Sequence, residues 1–172
     1  MGQFIWRFRK VIRERREEDL DRLCAILMTV KYPSNVLSEK DLKEWLKEHD
    51  AEQSWVFDMA PMTVAPTKNV VGHVEMYSVT RDSSTRYWVK HAKKPASDLL
   101  AIGKLFVKPS THEYGIGRYL LKESINYIQG QGKLPVLDLR ENLFHSKEFY
   151  EKFGFEEIPA SSPVVAPMIY TK

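Results

Sequence analysis

The stretch VKPSTHEYGIGRYLL, Val107 to Leu121, constrains this chain more than any other. An apolar strand-like run ends at Pro109, a polar turn follows, and Gly115 and Gly117 lead into Arg118 and a helical run. Glycine costs chain entropy, so two of them at a strand-to-helix turn point to a requirement of the backbone. At such a turn the first helical N–H groups have no intrahelical partner and the helix dipole is positive. Glycines there let a bulky anion approach the backbone, which makes the turn a candidate phosphate cradle. A tight turn with no ligand is the alternative.

The familiar nucleotide loops do not fit. No G-x-x-x-x-G-K-[ST] is present. The G-x-G-x-x-G fingerprint needs a third glycine where Leu120 stands, and it belongs early in a doubly wound sheet.

Around the turn the periodicities alternate. FIWRFRKVIRE reads as a first strand, and REEDLDRLCAILM as a helix with Leu20, Leu23, Cys24 and Leu27 on one face. SEKDLKEWLKEHD opens with Ser38 and Asp41 at capping-box spacing. SWVFDMA, NVVGHVEMYSVT, LLAIGKLFVKP and LPVLDLRE read as strands, and the tail from Phe155 gives one or two more. YGIGRYLLKESINYIQGQG and NLFHSKEFYEKFG read as helices stopped by glycine. Arg81 to Asp98 reads as a long basic loop without a clear period. Strand–helix–strand units in the second half predict parallel pairing there.

The 172 residues suit one domain over 1–172, able to bury about 70% of its unfolded surface without a disulfide or metal. A net charge of +3 permits an anionic ligand but shows no concentrated basic face, so no nucleic-acid partner is expected. The single cysteine, Cys24, reads as a core residue. No apolar run of membrane-spanning length and no signal-peptide core is present, and Trp6 stands where myristoylation wants Ser or Thr. No membrane partner and a cytoplasmic location are the expectations. No histidine pair has metal-ligand spacing with supporting carboxylates, so no metal is predicted.

VKPSTHEYGIGRYLL followed by ENLFHSKEFYEKFGF resembles the GNAT superfamily of N-acetyltransferases. The first stretch is similar to its acyl-CoA motif, a strand ending in V-x-P followed by Q/R-x-x-G-x-G/A. The second is similar to its later helix, with FYEKFGF from Phe149 to Phe155. The resemblance is sharpest over Ala101 to Phe155. It implies an α/β (α+β) fold: a mixed, mostly antiparallel sheet of six to seven strands, a central splayed parallel pair, and about four helices. Three positions depart from the pattern. His112 replaces the Q/R residue, Ala101 stands where a glutamate base is common, and Asn142 lies eight residues before Tyr150 where seven is usual.

The resemblance implies direct attack of an acceptor amine on acetyl-CoA as co-substrate. The pyrophosphate would lie on the N–H groups of Glu113, Tyr114, Gly115, Ile116 and Gly117, with His112 and Arg118 beside it. The pantetheine arm would follow Leu105, Phe106 and Val107, with a strand N–H near Phe106 or Val107 polarising the thioester, and Asn142 as a further contact. Tyr150 is the implied proton donor to the departing thiolate. Glu75 is the first candidate for the base, His73 the second and Asp98 the third. A water chain is the alternative. His49, at a helix end, reads as a cap or surface group.

The acceptor, a small-molecule or protein amine, is implied only as a class. By resemblance TVKYPSN and the loop Arg81 to Asp98 border its site, and that loop's basic residues would suit an acceptor bearing an anion. Some family members pair as dimers through their last strands, and VVAPMIYTK could do so. Two other readings stay open: a domain that binds acyl-CoA as a sensor or scaffold without turnover, and an unrelated phosphate-binding α/β protein.

Overall fold

The computed structural model describes residues 11–59, 69–80 and 82–172, except the side chains of residues 112–114. The strands are β1 (Ile12–Glu14), β2 (Ala51–Asp58), β3 (Val70–Tyr77), β4 (Leu99–Val107), β5 (Leu134–Asp138), β6 (Phe155–Glu157) and β7 (Pro167–Tyr170). The α-helices are α1 (Asp19–Val30), α2 (Glu39–Leu46), α3 (Thr85–Ala92), α4 (Ile116–Gly130) and α5 (Lys147–Phe153). One sheet runs in the order β1-β2-β3-β4-β5-β7-β6. All its pairings are antiparallel except β4 with β5.

The two central strands are buried along their whole length because helices cover both faces. Leu105 and Val107 of β4 pack with Leu120, Leu121 and Ile125 of α4, whereas Phe106 between them packs with Leu23 and Leu27 of α1 and Leu42 and Leu46 of α2. The period of 2 along β4 thus meets two helical stripes of period 3.6. Cys24 is fully buried in the second cluster, and burial pushes its thiol up to about 11. The α2 capping box forms as its spacing predicts: Asp41 N–H donates to Ser38 Oγ at 3.2 Å and Ser38 N–H to Asp41 Oδ2 at 3.0 Å. Arg13 ties β1 to both neighbours, donating to Asp19 at 2.8 Å and to Asp58 at 2.9 Å.

Two departures from the expected layout are visible. Thr85–Ala92, expected as part of a loop, is the helix α3, which brings the α-helices among the described residues to five. Only two turns long, it is anchored by a single fully buried residue, Trp88, packed among Tyr77, Val79, Leu99 and Ile169. One buried position gives no period to read. The last strand, β7, lies between β5 and β6 and is paired on both edges, so it offers no free edge to a second copy. The described part of the first strand is Ile12–Glu14, and the rest of FIWRFRKVIRE lies outside the described residues.

The feature that shapes the site is an irregularity in β4. His73 pairs with Phe106 but Glu75 pairs with Gly103, so Lys104 and Leu105 together oppose Val74. This is a β-bulge, and Lys104 takes the left-handed conformation rare for a side-chain-bearing residue, with φ 51°. β4 pairs with β5 only from Leu99 to Ala101; beyond it the two strands part.

Candidate active site

Asn142 and Tyr150 occupy the wedge between the parting strands. The fully buried Asn142 amide donates to Asp138 O at the end of β5 at 2.7 Å and to Ile102 O of β4 at 3.4 Å. Ile102 is the first β4 residue without a β5 partner, so Asn142 replaces the missing ladder. Its Oδ1 has no hydrogen-bond partner among the described residues. Tyr150, from α5, is fully buried and donates its hydroxyl proton to Asn142 O at 3.2 Å. Burial raises its pKa well above the ordinary tyrosine value, so it holds its proton at neutral pH.

Alternation decides which β4 donors face the open side. Lys108 N–H donates to Val71 O of β3 at 2.8 Å, so the neighbouring Val107 N–H turns away from β3. By the same alternation Phe106 N–H points to β3, so Val107 is the strand donor available to a ligand in the wedge.

β4 runs into a 3₁₀ turn, Pro109–Tyr114, and then into α4. The side chains of His112, Glu113 and Tyr114 lie outside the described residues; their backbone is in the turn. Gly115 is the N-cap of α4 in the left-handed conformation, φ 68°. A Cβ there would meet nothing within 4 Å, so Gly115 is needed for its backbone angle and leaves the helix start open. Gly117 serves a different purpose. A Cβ there would lie 3.0 Å from the His145 ring, so this glycine lets α4 pack close against that ring. Ile116 is buried and Arg118 exposed in the first turn.

Two adjoining cavities open beside β3 and β4. The larger, about 470 Å³, is bordered by Glu48, His49, Tyr77, Asp82 and Glu141. The second, about 330 Å³, is bordered by Tyr32, Trp45, His49, Gly103, Lys104 and Glu141. His49 borders both. Its Nδ1 lies 2.5 Å from Glu75 Oε1, and its ring stacks on Tyr77 at 3.9 Å between centroids. The Tyr77 hydroxyl, with one proton, lies 3.1 Å from Asp82 Oδ2 and 3.2 Å from Glu141 Oε2. Burial first raises both carboxyl pKa values, followed by repulsion from Asp138 at Asp82 and from Asp82 and Asp138 at Glu141. Lys104 is nearly buried: its ammonium donates to Trp45 O, lies 3.1 Å from Glu48 and 4.0 Å from Glu75, and sits over the Trp45 ring. Burial lowers its pKa.

The candidate bases separate cleanly. Glu75 is fully buried behind His49, and its Oε2 has no hydrogen-bond partner among the described residues. His73 faces inward. Arg15 Nη1 lies 3.2 Å from its Nε2 and Lys104 O lies 2.8 Å from its Nδ1. Arginine can only donate, so Nε2 accepts and Nδ1–H donates. Desolvation, then the Arg15 charge, pushes His73 down to about 3, leaving a neutral structural histidine. Asp98 is exposed in a 3₁₀ turn before β4, away from both cavities. Ala101 is buried and paired with Tyr77.

The residue that sequence reasoning missed is His49. Nothing within HDAEQ signals its partner, which lies 26 positions on. The basic rim expected from Arg81 to Asp98 is also corrected. Arg81 lies outside the described residues, while Lys90 and Lys93 border a separate cavity with Tyr87 and Pro159. The groove beside the wedge is lined by carboxylates instead. From TVKYPSN, Tyr32 and Pro33 do border it. Among the described residues no helix is long and apolar enough to cross a membrane, and no group of three or more His, Cys, Asp or Glu could hold a metal ion.

A family model described as "Acetyltransferase (GNAT) family" matches residues 20–155. No curated protein matches the sequence significantly. Among solved structures, Ard1 from Thermoplasma volcanium is similar at 18% identity with a TM-score of 0.62, covering 94% of this chain and 97% of that one. Arabidopsis thaliana NAA60 in complex with acetyl-CoA is similar at 16% identity with a TM-score of 0.63, covering 92% and 96%. A GNAT family acetyltransferase from Brucella melitensis in complex with acetyl-CoA is similar at 16% identity with a TM-score of 0.54, covering 94% and 88%.

Proposed function

Because this chain belongs to the acetyltransferase (GNAT) family, we propose that it moves an acetyl group from acetyl-CoA to a primary amine by direct attack. The residues present fit that co-substrate. The left-handed Gly115 leaves the start of α4 open to a pyrophosphate, and the wedge past Ala101 leaves Val107 N–H to the pantetheine arm. The backbone of Glu113 to Gly117, with Arg118 in the first helical turn, would hold the phosphates. Leu105 to Val107 would line the arm. Asn142 keeps the wedge open through its NH2 group, which donates to Ile102 and Asp138, and its Oδ1 is left to accept from the arm.

Acetyl-CoA supplies an activated thioester; the chain supplies position and protons. Val107 N–H, turned away from β3, would serve as the oxyanion donor. Tyr150, protonated and buried, is the group that returns a proton to the departing thiolate, after leaving the Asn142 carbonyl.

The carboxylate-lined groove carries the reading of the acceptor. Glu48, Asp82 and Glu141 face one cavity, and the repulsion of Glu141 by Asp82 would be relieved by a cation. The acceptor is therefore a cationic amine without a neighbouring anion, such as a diamine or a lysine side chain.

Steady release of CoA thiol in the presence of acetyl-CoA and 1,4-diaminobutane, with monoacetylated amine as product, tests the proposal. A protein that binds acetyl-CoA but releases no thiol with any of a panel of primary amines would be a binding module.

A further inference from the structure

On the acetyltransferase reading, we propose that His49 is the general base of the reaction and Glu75 the residue that positions it. Three observations carry this assignment. His49 borders both cavities, the one where an acceptor would sit and the one beside Gly103 and Lys104 on the bulge of β4. Its other nitrogen is engaged. A carboxylate can only accept, so at 2.5 Å Nδ1–H donates to Glu75 Oε1, and in the neutral ring it is Nε2 that carries the lone pair. Finally, stacking on Tyr77, with 15° between the ring planes, fixes the direction in which Nε2 points.

The other candidates lack this combination. Glu75 is sealed behind the imidazole and His73 is locked between Arg15 and Lys104 O. The ionisable groups around His49 come from every neighbouring element: Glu48 before it, with Oε1 3.7 Å from Nε2, and Asp50 after it; Glu75 and Tyr77 on β3; Lys104 on β4; Asp82 from the loop after β3; and Arg140 and Glu141 from the turn after β5.

The step balances as follows. An acceptor ammonium gives one proton to His49 Nε2, and the freed nitrogen lone pair forms the C–N bond to the thioester carbonyl carbon. The C–S bond breaks, its electron pair leaves with sulfur, and sulfur takes the Tyr150 hydroxyl proton to become CoA thiol. The amide nitrogen sheds its remaining extra proton to solvent, from which the Tyr150 oxygen is reprotonated. One proton per turnover passes from His49 to solvent.

The test compares wild type with His49→Ala, His49→Gln and Glu75→Gln, using acetyl-CoA and 1,4-diaminobutane. His49→Ala is expected to lower kcat about 100-fold, within the range of general-base effects, while stabilisation of the fold by acetyl-CoA stays unchanged. Added imidazole is expected to restore part of that kcat to His49→Ala but none to His49→Gln, whose side chain fills the space. Glu75→Gln is expected to lower kcat about tenfold and to abolish the far-downfield proton NMR signal of the Nδ1–H bond. A His49→Ala kcat within threefold of wild type, or a loss that imidazole does not restore, would overturn the base assignment alone. Wild type that binds acetyl-CoA yet acetylates no amine would overturn the acetyltransferase reading and the base with it.

Discussion

The Tyr150 hydroxyl donates to the Asn142 carbonyl oxygen at 3.2 Å, inside the wedge where β4 and β5 separate. Asn142 in turn ties Ile102 to Asp138, so Tyr150, the proposed proton donor, and the residue that bridges the wedge form one unit. Tyr150→Phe removes the hydroxyl and keeps the ring. It is expected to lower kcat by about 100-fold and folding stability by only about 1 kcal/mol. Thiol release and urea unfolding on the same protein check both.

On the proposed reading the groove carboxylates act on the acceptor rather than on the chemistry. Asp82→Asn or Glu141→Gln is expected to raise KM for 1,4-diaminobutane several-fold, to leave KM for acetyl-CoA unchanged, and to alter kcat little. The effect should shrink as salt rises, because exposed charges are screened beyond about 10 Å at 0.1 M. Equal KM changes for both substrates would place these residues elsewhere in the mechanism.

The two glycines of the turn are expected to fail in different ways. Gly115→Ala puts a side chain at φ 68° in open space, which costs roughly 1–2 kcal/mol through the backbone alone. Gly117→Ala puts a Cβ 3.0 Å from the His145 ring, which stacks on Phe149 at 4.1 Å between centroids. Its effect should pass into α5. Urea unfolding combined with the His145 and Phe149 ring NMR signals separates them: only Gly117→Ala should shift those rings.

His73 gives the fold an acid sensitivity. Its folded-state value is depressed to about 3, below the ordinary histidine value, so between those two limits the unfolded chain binds the proton and the folded chain does not. The stability contributed by neutral His73 is present above the unfolded value and is lost as pH falls toward 3. Over that window wild type should lose up to about 1.4 kcal/mol per pH unit more than His73→Gln. Identical slopes for the two proteins in urea unfolding from pH 6 to pH 4 would contradict the assignment.

How much of this was legible in the sequence follows from the range of each interaction. The glycine turn, the capping box of α2 and the apolar stripe of α1 are local, set by residues within four positions of one another, and each was readable. The parallel β4–β5 pair followed from the connection between them. The His49–Glu75 bond was not readable, because it joins a helix end to a strand 26 residues on and depends on Glu75 lying opposite Gly103. That register depends on the bulge at Lys104, which no local pattern announces. Helix α3 was missed because one buried tryptophan holds it. His73 and Glu75 share a strand face and look alike in sequence, but only the fold shows that one is locked by Arg15 and the other covered by an imidazole.

Acetyl-CoA binding is the step on which the rest depends, and thermal unfolding with acetyl-CoA, and with ATP as a control, measures it directly. At 100 times its dissociation constant a ligand adds about 2.7 kcal/mol, an upward shift of a few degrees at this chain length. The wedge and the Gly115 turn predict that shift with acetyl-CoA and none with ATP. An unchanged midpoint with acetyl-CoA, or an equal shift with ATP, would contradict the acetyl-CoA site.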